Sequence, residues 1–232
     1  MSDGASESSG EKTLVIDVGG TNVKFLVEGE AEPRRFPSGP ALTPLSMVEG
    51  VRSALSDVPF DRVTIGFPAP IRGGQATRDP VNLGPGWVDF DFGAAFVRPV
   101  RVINDAALQA IGSYDGGKML FLGLGTGLGS ALVAEHVVVP LEFAHLPYRK
   151  KQTYEDFVGH RGLDRLGKKR WHKAVADVVD RLSTAVVADY VVLGGGNAKK
   201  LKTWPRNAKR GDNAHAFTGG IRLWTEPRFR VP

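Results

Sequence analysis

A short apolar run, a glycine-rich turn and a second apolar run occur twice in this chain, and no other feature restricts its fold as much. The first copy reads Leu14-Val15-Ile16-Asp17-Val18-Gly19-Gly20-Thr21-Asn22-Val23-Lys24-Phe25 and continues to Val27. The second runs from Met119 into Gly123-Leu124-Gly125-Thr126-Gly127-Leu128-Gly129 and on through Ser130 to Ala134. Each reads as strand, turn, strand, because glycine alone reaches positive φ without steric cost. Each also exposes amides and a threonine hydroxyl, a concave donor set that favours anions. The two copies form a degenerate internal repeat, and facing each other they would clamp an oligophosphate from both sides. Asp17 is costly in a buried strand unless something cationic waits for it, and Lys24 offers a counter-charge. Taken alone, the first copy reads equally as a hairpin whose aspartate caps its own turn.

Around these hairpins the chain alternates strands and helices. Arg34 to Phe36 reads as a short strand. Pro44 to Asp57 reads as a helix with Thr43 as N-cap and Leu45, Val48, Val51, Ala54 and Leu55 as its apolar stripe. Val63 to Phe67 and Val100 to Ile103 are strands, and Asn104-Asp105 stands where the second gives way to a helix, Ala106 to Ser113. Residues 68–98 are rich in Gly, Pro and aromatics without clear period, the mark of a functional loop. Helices are predicted over Tyr154 to Gly167 and Trp171 to Val187, the latter with a core stripe of Val175, Val178, Val179, Leu182, Ala185 and Val186. Tyr190 to Leu193 is a strand ending in Gly194-Gly195-Gly196-Asn197. Ala214 to Trp224 is a last helix whose Gly219 and Gly220 predict close backbone packing, since each costs about 1 kcal/mol relative to alanine.

Composition narrows the class. With 232 residues, 42% hydrophobic and 24% charged, the chain fits one large domain or two lobes. No stretch approaches the ~20 apolar residues that cross a bilayer, and Met1 to Glu11 lacks the basic start and apolar core of a signal peptide. A disordered tail at 1–12, no membrane partner and a cytoplasmic location are the expectations. The absence of cysteine excludes disulfides and cysteine-based zinc sites. The net charge of +5 is uneven: residues 149–210 carry 16 Lys/Arg against 6 Asp/Glu, a local +10, leaving the rest at −5. That asymmetry suggests an anionic partner. It is also what a solvated basic face gives, and no nucleic-acid motif accompanies it, so no nucleic acid is expected.

Four features stand together: Asp17 to Lys24, Asn104-Asp105, the turn at 123–129 and the strand ending in Gly194 to Gly196. Their order and spacing resemble the actin-like, sugar-kinase and Hsp70 superfamily, and Glu142-Phe143-Ala144-His145-Leu146 resembles the Glu-x-Gly-His motif of the ROK family of sugar kinases and repressors. Short length, the lack of cysteine and the tract Leu122 to Leu132 look most like the polyphosphate glucokinases within it. The resemblance covers roughly 13–224. It implies an α/β, two-lobed actin-like (ribonuclease H-like) fold, each lobe a mixed sheet flanked by helices. The lobes would be 13–104 and 105–213, with the helix at 214–224 packing back on the first.

The resemblance further implies a hexose kinase that moves a phosphoryl group from ATP or polyphosphate to the 6-hydroxyl of glucose or a close relative, with magnesium. Asp105 would be the general base, and Asn104, Asp105, Glu142, His145 and Glu155 the sugar ligands. Gly19, Gly20, Thr21, Asn22 and Lys24 match the first phosphate loop, and Gly125, Thr126, Gly127 and Gly129 the second. Gly194, Gly195 and Gly196 match the nucleotide or distal-phosphate segment, and Asp17 the residue that orients magnesium, usually through water. Family members are commonly homodimers. The loop Asn82 to Trp87 would be pocket wall.

These residue types suit the chemistry. Phosphoryl transfer rests on positioning and charge neutralisation, and a carboxylate of reference pKa about 3.9, ionised at neutral pH, can accept the hydroxyl proton. Asp105 alone could equally be a helix N-cap, and Glu155 sits in a first turn that favours acids anyway. Carboxylate, carboxamide and imidazole hydrogen-bond polyols. His136, His160, His172 and His215 read as structural. The sequence departs from the family at Ala144, where the motif has glycine, and at Pro68-Ala69-Pro70, where Pro-Gly is usual. The family's zinc cysteines are missing, so zinc is not expected and His145 must be held by other means. A sugar-sensing ROK regulator is the alternative of another class, although 12 residues ahead of the first strand are too few for a helix-turn-helix. Kinases for mannose, fructose or an N-acetylhexosamine, and a phosphatase or acetate-kinase-like relative, are the others. The Glu142/His145 pair suits a polyol better than an acyl or phosphate group.

Overall fold

The computed structural model describes residues 10–231. The first half of the chain builds β1 (Thr13–Val18), β2 (Asn22–Val27), β3 (Arg34–Pro37), α1 (Pro44–Ala54), β4 (Arg62–Phe67), the small hairpin β5 (Ile71–Arg72) and β6 (Gln75–Ala76), α2 (Phe92–Phe96), β7 (Val100–Asn104) and α3 (Asp105–Ser113). The second half adds β8 (Lys118–Leu124), β9 (Leu128–Ala134), β10 (Val137–Leu141), β11 (Pro147–Arg149), β12 (Gln152–Thr153), α4 (Tyr154–Val158), α5 (His160–Ala185), β13 (Tyr190–Gly194), β14 (Ala208–Arg210) and α6 (His215–Thr225).

The internal repeat is visible in the topology. One sheet has the order β3-β2-β1-β4-β7 and the other β10-β9-β8-β13-β14. In each, a glycine-turn hairpin supplies a central strand that is antiparallel to its hairpin partner and parallel to the next strand. Those central strands read as continuous apolar runs because both of their faces are covered. Leu14, Ile16 and Val18 enter the core beneath α1 and α2, while Val15 points into the layer of α3 and α6. Met119 and Phe121 meet that same middle layer from the other sheet, and Leu120, Leu122 and Leu124 pack against α5. The order of layers is therefore helices, sheet, α3 with α6, sheet, helices: a two-lobed α/β fold.

Glycines set the spacing of the middle layer. A Cβ on Gly112 of α3 would collide with the His215 carbonyl, and one on Gly219 of α6 with the Leu108 carbonyl. Gly220 in turn admits Val15. The two helices cross nearly backbone to backbone, which is the close packing their glycines predicted. α6 also packs on β1 and β4, where Thr64 Oγ1 donates to the Gly220 carbonyl at 2.9 Å and accepts from Trp224 Nε1 at 2.8 Å.

Several local expectations change. Ordering begins before residue 13: the Lys12 amide donates to Asp61 Oδ2 at 2.8 Å and Arg62 pairs with Glu11 at 3.0 Å. The rest of the proposed tail, residues 1–9, lies outside the described residues. Leu45 and Ala54 are exposed rather than core. The helix foreseen at 154–167 breaks at Gly159 in an extended conformation, and α5 is itself broken at Gly167 (φ 70°, ψ 158°), a conformation open only to glycine. Ala185 is exposed, whereas Val186, at the C-cap of α5, is half-buried against the same core as Leu182. Periodicity did not reveal β5, β6, β10, β11, β12, β14 or α2, which are short or lie on edges. No helix among the described residues is long and apolar enough to cross a membrane.

Candidate active site

The N-terminus of α3 lies between β1 and β9, strands that flank the two glycine turns. Asp17, at the end of β1, is close enough to raise the pKa of Asp105. From the other sheet, Gly129 approaches so closely that a Cβ there would lie 2.9 Å from Ala106 Cβ. The N-cap of α3 is Asn104: its Oδ1 accepts from the Ala106 and Ala107 amides at 3.0 and 3.2 Å. Capping thus falls to Asn104, and Asp105 is the first helical residue, its Oδ1 accepting from the Ala106 amide at 2.8 Å. Asn104 Nδ2 reaches toward the Ala69 carbonyl at 3.5 Å, which places the Pro68-Ala69-Pro70 segment beside it.

Asp17 and Asp105 keep part of their surface accessible, but protein surrounds them on nearly every side. Burial raises the Asp17 pKa, and Lys24, its cross-strand partner, draws it back in part. Asp105 is pushed up to about 7, first by burial and then by the carboxylates of Asp17 and Glu142, against the pull of the Ala106 amide. This corrects the assumption of an ordinary, fully ionised carboxylate. Three acids from different elements crowd one locus, and the sequence shows none of that proximity.

Both turns are wired alike. In the first, the Gly19 amide donates to the Asn22 carbonyl at 3.0 Å, Ser38 Oγ to the Gly19 carbonyl at 2.5 Å and the Ser38 amide to the Thr21 carbonyl at 3.0 Å. In the second, the Gly125 amide donates to the Gly127 carbonyl at 3.1 Å, Asn197 Nδ2 to the Gly125 carbonyl at 2.8 Å and the His160 amide to the Thr126 carbonyl at 3.1 Å. The carbonyls of Gly19, Thr21, Gly125, Thr126 and Gly127 are satisfied, whereas the amides of Gly20, Thr21, Thr126 and Gly127 have no acceptor among the described residues. Two adjacent unused amides on each turn make two anion cradles.

The glycines serve a purpose other than the one inferred from sequence. None of Gly19, Gly20, Gly123, Gly125, Gly127 and Gly129 has positive φ. Space is the reason at some of them: a Cβ on Gly19 would lie 3.0 Å from the Asn22 carbonyl, one on Gly127 would collide with the Glu155 carboxylate and one on Gly129 would lie 2.9 Å from Ala106 Cβ. Gly20, by contrast, would make an ordinary contact with Asn82 at 3.4 Å, and Gly125 faces open space. Gly195 alone in the third glycine stretch is left-handed (φ 80°), and it lies against the Leu124 carbonyl.

The sugar-site candidates are placed unevenly. Glu142 and His145 flank a short 3-10 turn, Phe143–His145, with His145 Nε2 4.0 Å from Glu142 Oε2 and side-chain exposures of 63% and 51%. Ala144 between them is buried, its methyl packed in the core of the second lobe, so the departure from glycine is absorbed there. Glu155 lies at the second turn: its Oε2 accepts from the Leu128 amide at 3.2 Å. The hairpin β11–β12 between them is fastened to α5, where Asp177 accepts from the Tyr148 hydroxyl, Arg149 and Arg181.

Of the segment Asn82 to Trp87, only part can be wall. Trp87 is buried, its Nε1 donating to the Gly84 carbonyl at 2.7 Å, whereas Asn82 stands exposed over Gly20. Ser38 and Asn197 were not singled out from sequence, since a lone polar residue in a loop carries no signal of the turn it braces. The structural reading of the histidines is supported at His172, whose Nε2 lies 3.0 Å from the Lys200 carbonyl, and at His215, whose Nδ1 lies 2.8 Å from Ser113 Oγ.

No group of three Asp, Glu or His among the described residues forms a metal cage. Magnesium asks for less, using one or two carboxylates with waters and substrate phosphates. Two crowded carboxylates whose pKa values are both raised fit such an ion. Basic side chains continue outward from the third glycine stretch. Lys199, Lys200 and Lys202 follow it, and the His172 contact joins them to Lys168, Lys169, Arg170 and Lys173 of α5. None of these seven has a carboxylate within 4.0 Å among the described residues.

No family model matches the chain. It is similar to the polyphosphate glucokinase of Mycobacterium leprae (25% identity, covering 88% of this chain and 69% of that protein). It is likewise similar to that of Mycobacterium tuberculosis (24%; 82% and 79%). Among solved structures it resembles the inorganic polyphosphate/ATP-glucomannokinase of Arthrobacter sp. strain KM, with TM-score 0.77, 25% identity and coverage of 90% and 96%. A ROK family glucokinase from Streptomyces griseus, solved with glucose and AMPPNP, superposes with TM-score 0.72 at 16% identity, covering 91% and 98%, and so speaks for the fold alone. The resemblance to polyphosphate glucokinases is borne out by the Mycobacterium and Arthrobacter relatives, and the fold is shared with the ROK family glucokinase.

Proposed function

We propose that the protein is a hexose kinase that transfers the terminal phosphoryl group of ATP or polyphosphate to the 6-hydroxyl of glucose or a close relative. The observation that carries this reading is the convergence of two anion cradles and an acidic cluster on the N-terminus of α3. A phosphate chain held by the amides of Gly20, Thr21, Thr126 and Gly127 would be gripped from both sheets. Asn22, Lys24, Gly19, Gly125 and Gly129 complete those turns, and Gly194, Gly195 and Gly196 would meet the nucleotide or the farther phosphates. Lobes at 13–104 and 105–213, with 214–224 returning to the first, would close over the donor.

On this reading Asn104, Glu142, His145 and Glu155 bind and orient the hexose, and Asp105 accepts the proton as the sugar oxygen bonds to phosphorus and the bridging P–O bond breaks. A base of pKa near 7 is matched to that task, because catalytic efficiency is best when base and working pH coincide. Asp17 would hold magnesium through water, and the ion would neutralise charge on the phosphates. The unpaired lysines beyond Gly196 favour a donor longer than a triphosphate, since each neutralised phosphate on a long chain adds to binding.

The test is a matrix of glucose, mannose, fructose and N-acetylglucosamine against ATP and polyphosphate with magnesium. Sugar phosphate is expected from at least one pairing with glucose or mannose; none from any pairing would overturn the reading. Charge reversal at Lys168, Lys169 and Lys173 together should raise KM for long polyphosphate about tenfold and leave KM for ATP unchanged.

A further inference from the structure

We infer that Glu155 makes donor binding depend on bound sugar, and so decides that phosphate goes to the hexose rather than to water. The inference rests on the kinase reading above and adds to Glu155 a role at the donor site. Glu155 is the second residue of α4, whose start is fixed by a capping box: the Asp156 amide donates to Thr153 Oγ1 at 3.3 Å and the Thr153 amide to Asp156 Oδ2 at 2.8 Å. The far end of α4 is fastened to the second phosphate turn by the His160 amide on the Thr126 carbonyl at 3.1 Å. Gly159 fits there because a Cβ would lie 2.9 Å from that same carbonyl. The backbone that carries Glu155 is thus fixed beside the turn.

Its two oxygens are not equivalent. Oε2 accepts from the Leu128 amide at 3.2 Å and occupies the space that a Cβ on Gly127 would need. Oε1 has no hydrogen-bond donor among the described residues. A bare negative charge therefore sits on the turn whose Thr126 and Gly127 amides are open to phosphate. Like charges within one turn repel, so without sugar the carboxylate opposes the donor. A sugar hydroxyl donating to Oε1 would spread that charge and draw it from the cradle. Donor and acceptor then bind with positive coupling, which by linkage is reciprocal. The alternative reaction is hydrolysis. A water oxygen bonds to the terminal phosphorus, the bridging P–O bond breaks and the proton leaves to solvent, giving orthophosphate and a shortened donor. Coupling through Glu155 suppresses that loss.

The experiment is calorimetric titration of magnesium–ATP and magnesium–tripolyphosphate into wild type and Glu155→Gln, with and without saturating 6-deoxyglucose, which lacks the hydroxyl that would accept phosphate. Glutamine keeps the shape and an acceptor for the Leu128 amide but removes the charge. Expected are about tenfold tighter donor binding by Glu155→Gln in the absence of sugar, and a gain of about tenfold on adding 6-deoxyglucose in wild type that the variant lacks. Orthophosphate release without sugar should rise several-fold in the variant. Glu155→Asp, which retains the charge, should bind donor no more tightly than wild type. Unchanged donor affinity in Glu155→Gln, with only the sugar KM raised, would overturn the inference and leave Glu155 a sugar ligand. Absence of donor binding to wild type and variants alike would remove the kinase reading together with this one.

Discussion

Replacing Asp105 by asparagine should stabilise the protein at alkaline pH while abolishing turnover. The native carboxyl is pushed from 3.8 up to about 7, so it holds its proton more tightly folded than unfolded. A carboxyl raised in this way contributes stability that is intact below pH ~4 and is lost as the pH climbs through 7. Three pH units at about 1.4 kcal/mol each give on the order of 4 kcal/mol at pH 8. Access of solvent to part of the side chain brings the expected figure to ~2–4 kcal/mol. At pH 5 the same relation leaves under about 2 kcal/mol. Asparagine carries no charge at either pH and nearly the same shape, and Asn104 still caps α3. Urea unfolding of both proteins at pH 8 and pH 5, without magnesium, measures the difference. An Asp105→Asn protein that is no more stable than wild type at pH 8, or whose advantage is the same at both values, would refute a carboxylate strained by burial and by Asp17 and Glu142.

Other outcomes follow from the same geometry. The acidic limb of kcat/KM for sugar should have an apparent pKa near 7 at low magnesium and shift to lower pH as magnesium rises; a limb near 4 at every magnesium concentration would contradict the crowding of Asp17 and Asp105. His145→Ala should raise the sugar KM by about 10–100-fold with no change in melting temperature, because the ring is 63% exposed and Glu142 Oε2 stands 4.0 Å from it; a fall in melting temperature would show that it is packed. Gly219→Ala should cost about 3 kcal/mol, at the upper end for overpacking, because the new methyl meets the Leu108 carbonyl. Thermal unfolding checks it, and an unchanged midpoint would mean that the α3–α6 crossing can give way.

The repeat was legible because its strands are central. β1 and β8 are covered on both faces and had to be written as unbroken apolar runs around a turn. Edge and hairpin strands such as β11, β12 and β14 span 2 or 3 residues and leave no period to read. The turn glycines were found for the wrong reason: backbone conformation was the stated need, and clearance is the actual one at Gly19, Gly127 and Gly129. Clearance at Gly127 and Gly129 is set by Glu155 and Ala106, which belong to other elements, and nothing local announces them. The Asp105 environment was hidden likewise, since Asp17, Asp105 and Glu142 come from three elements whose approach only the folded chain brings about.

Charge distribution ties these observations together. Acids collect at the N-terminus of α3 with Lys24 acting on Asp17, while seven basic side chains with no carboxylate within 4.0 Å among the described residues lie on α5 and after the third glycine stretch. A site arranged to hold a polyanion would be expected to place its cations at the reacting centre, and this one does the reverse. The arrangement is consistent if the cation at the centre arrives with the donor. Backbone amides then supply the fixed part of the grip, and the acids become a binding site for the incoming ion instead of a barrier to phosphate. In the absence of donor the same acids destabilise the native state, and relief of that repulsion by the incoming cation adds to the donor's binding energy. Donor affinity should accordingly weaken when Asp17 or Asp105 is neutralised, even though a negative charge has been removed from beside the phosphates. Neutralising Glu155, which lies on the amides themselves, should strengthen it. Opposite signs at two carboxylates within one site distinguish an acid that recruits the cation from an acid that guards the cradle.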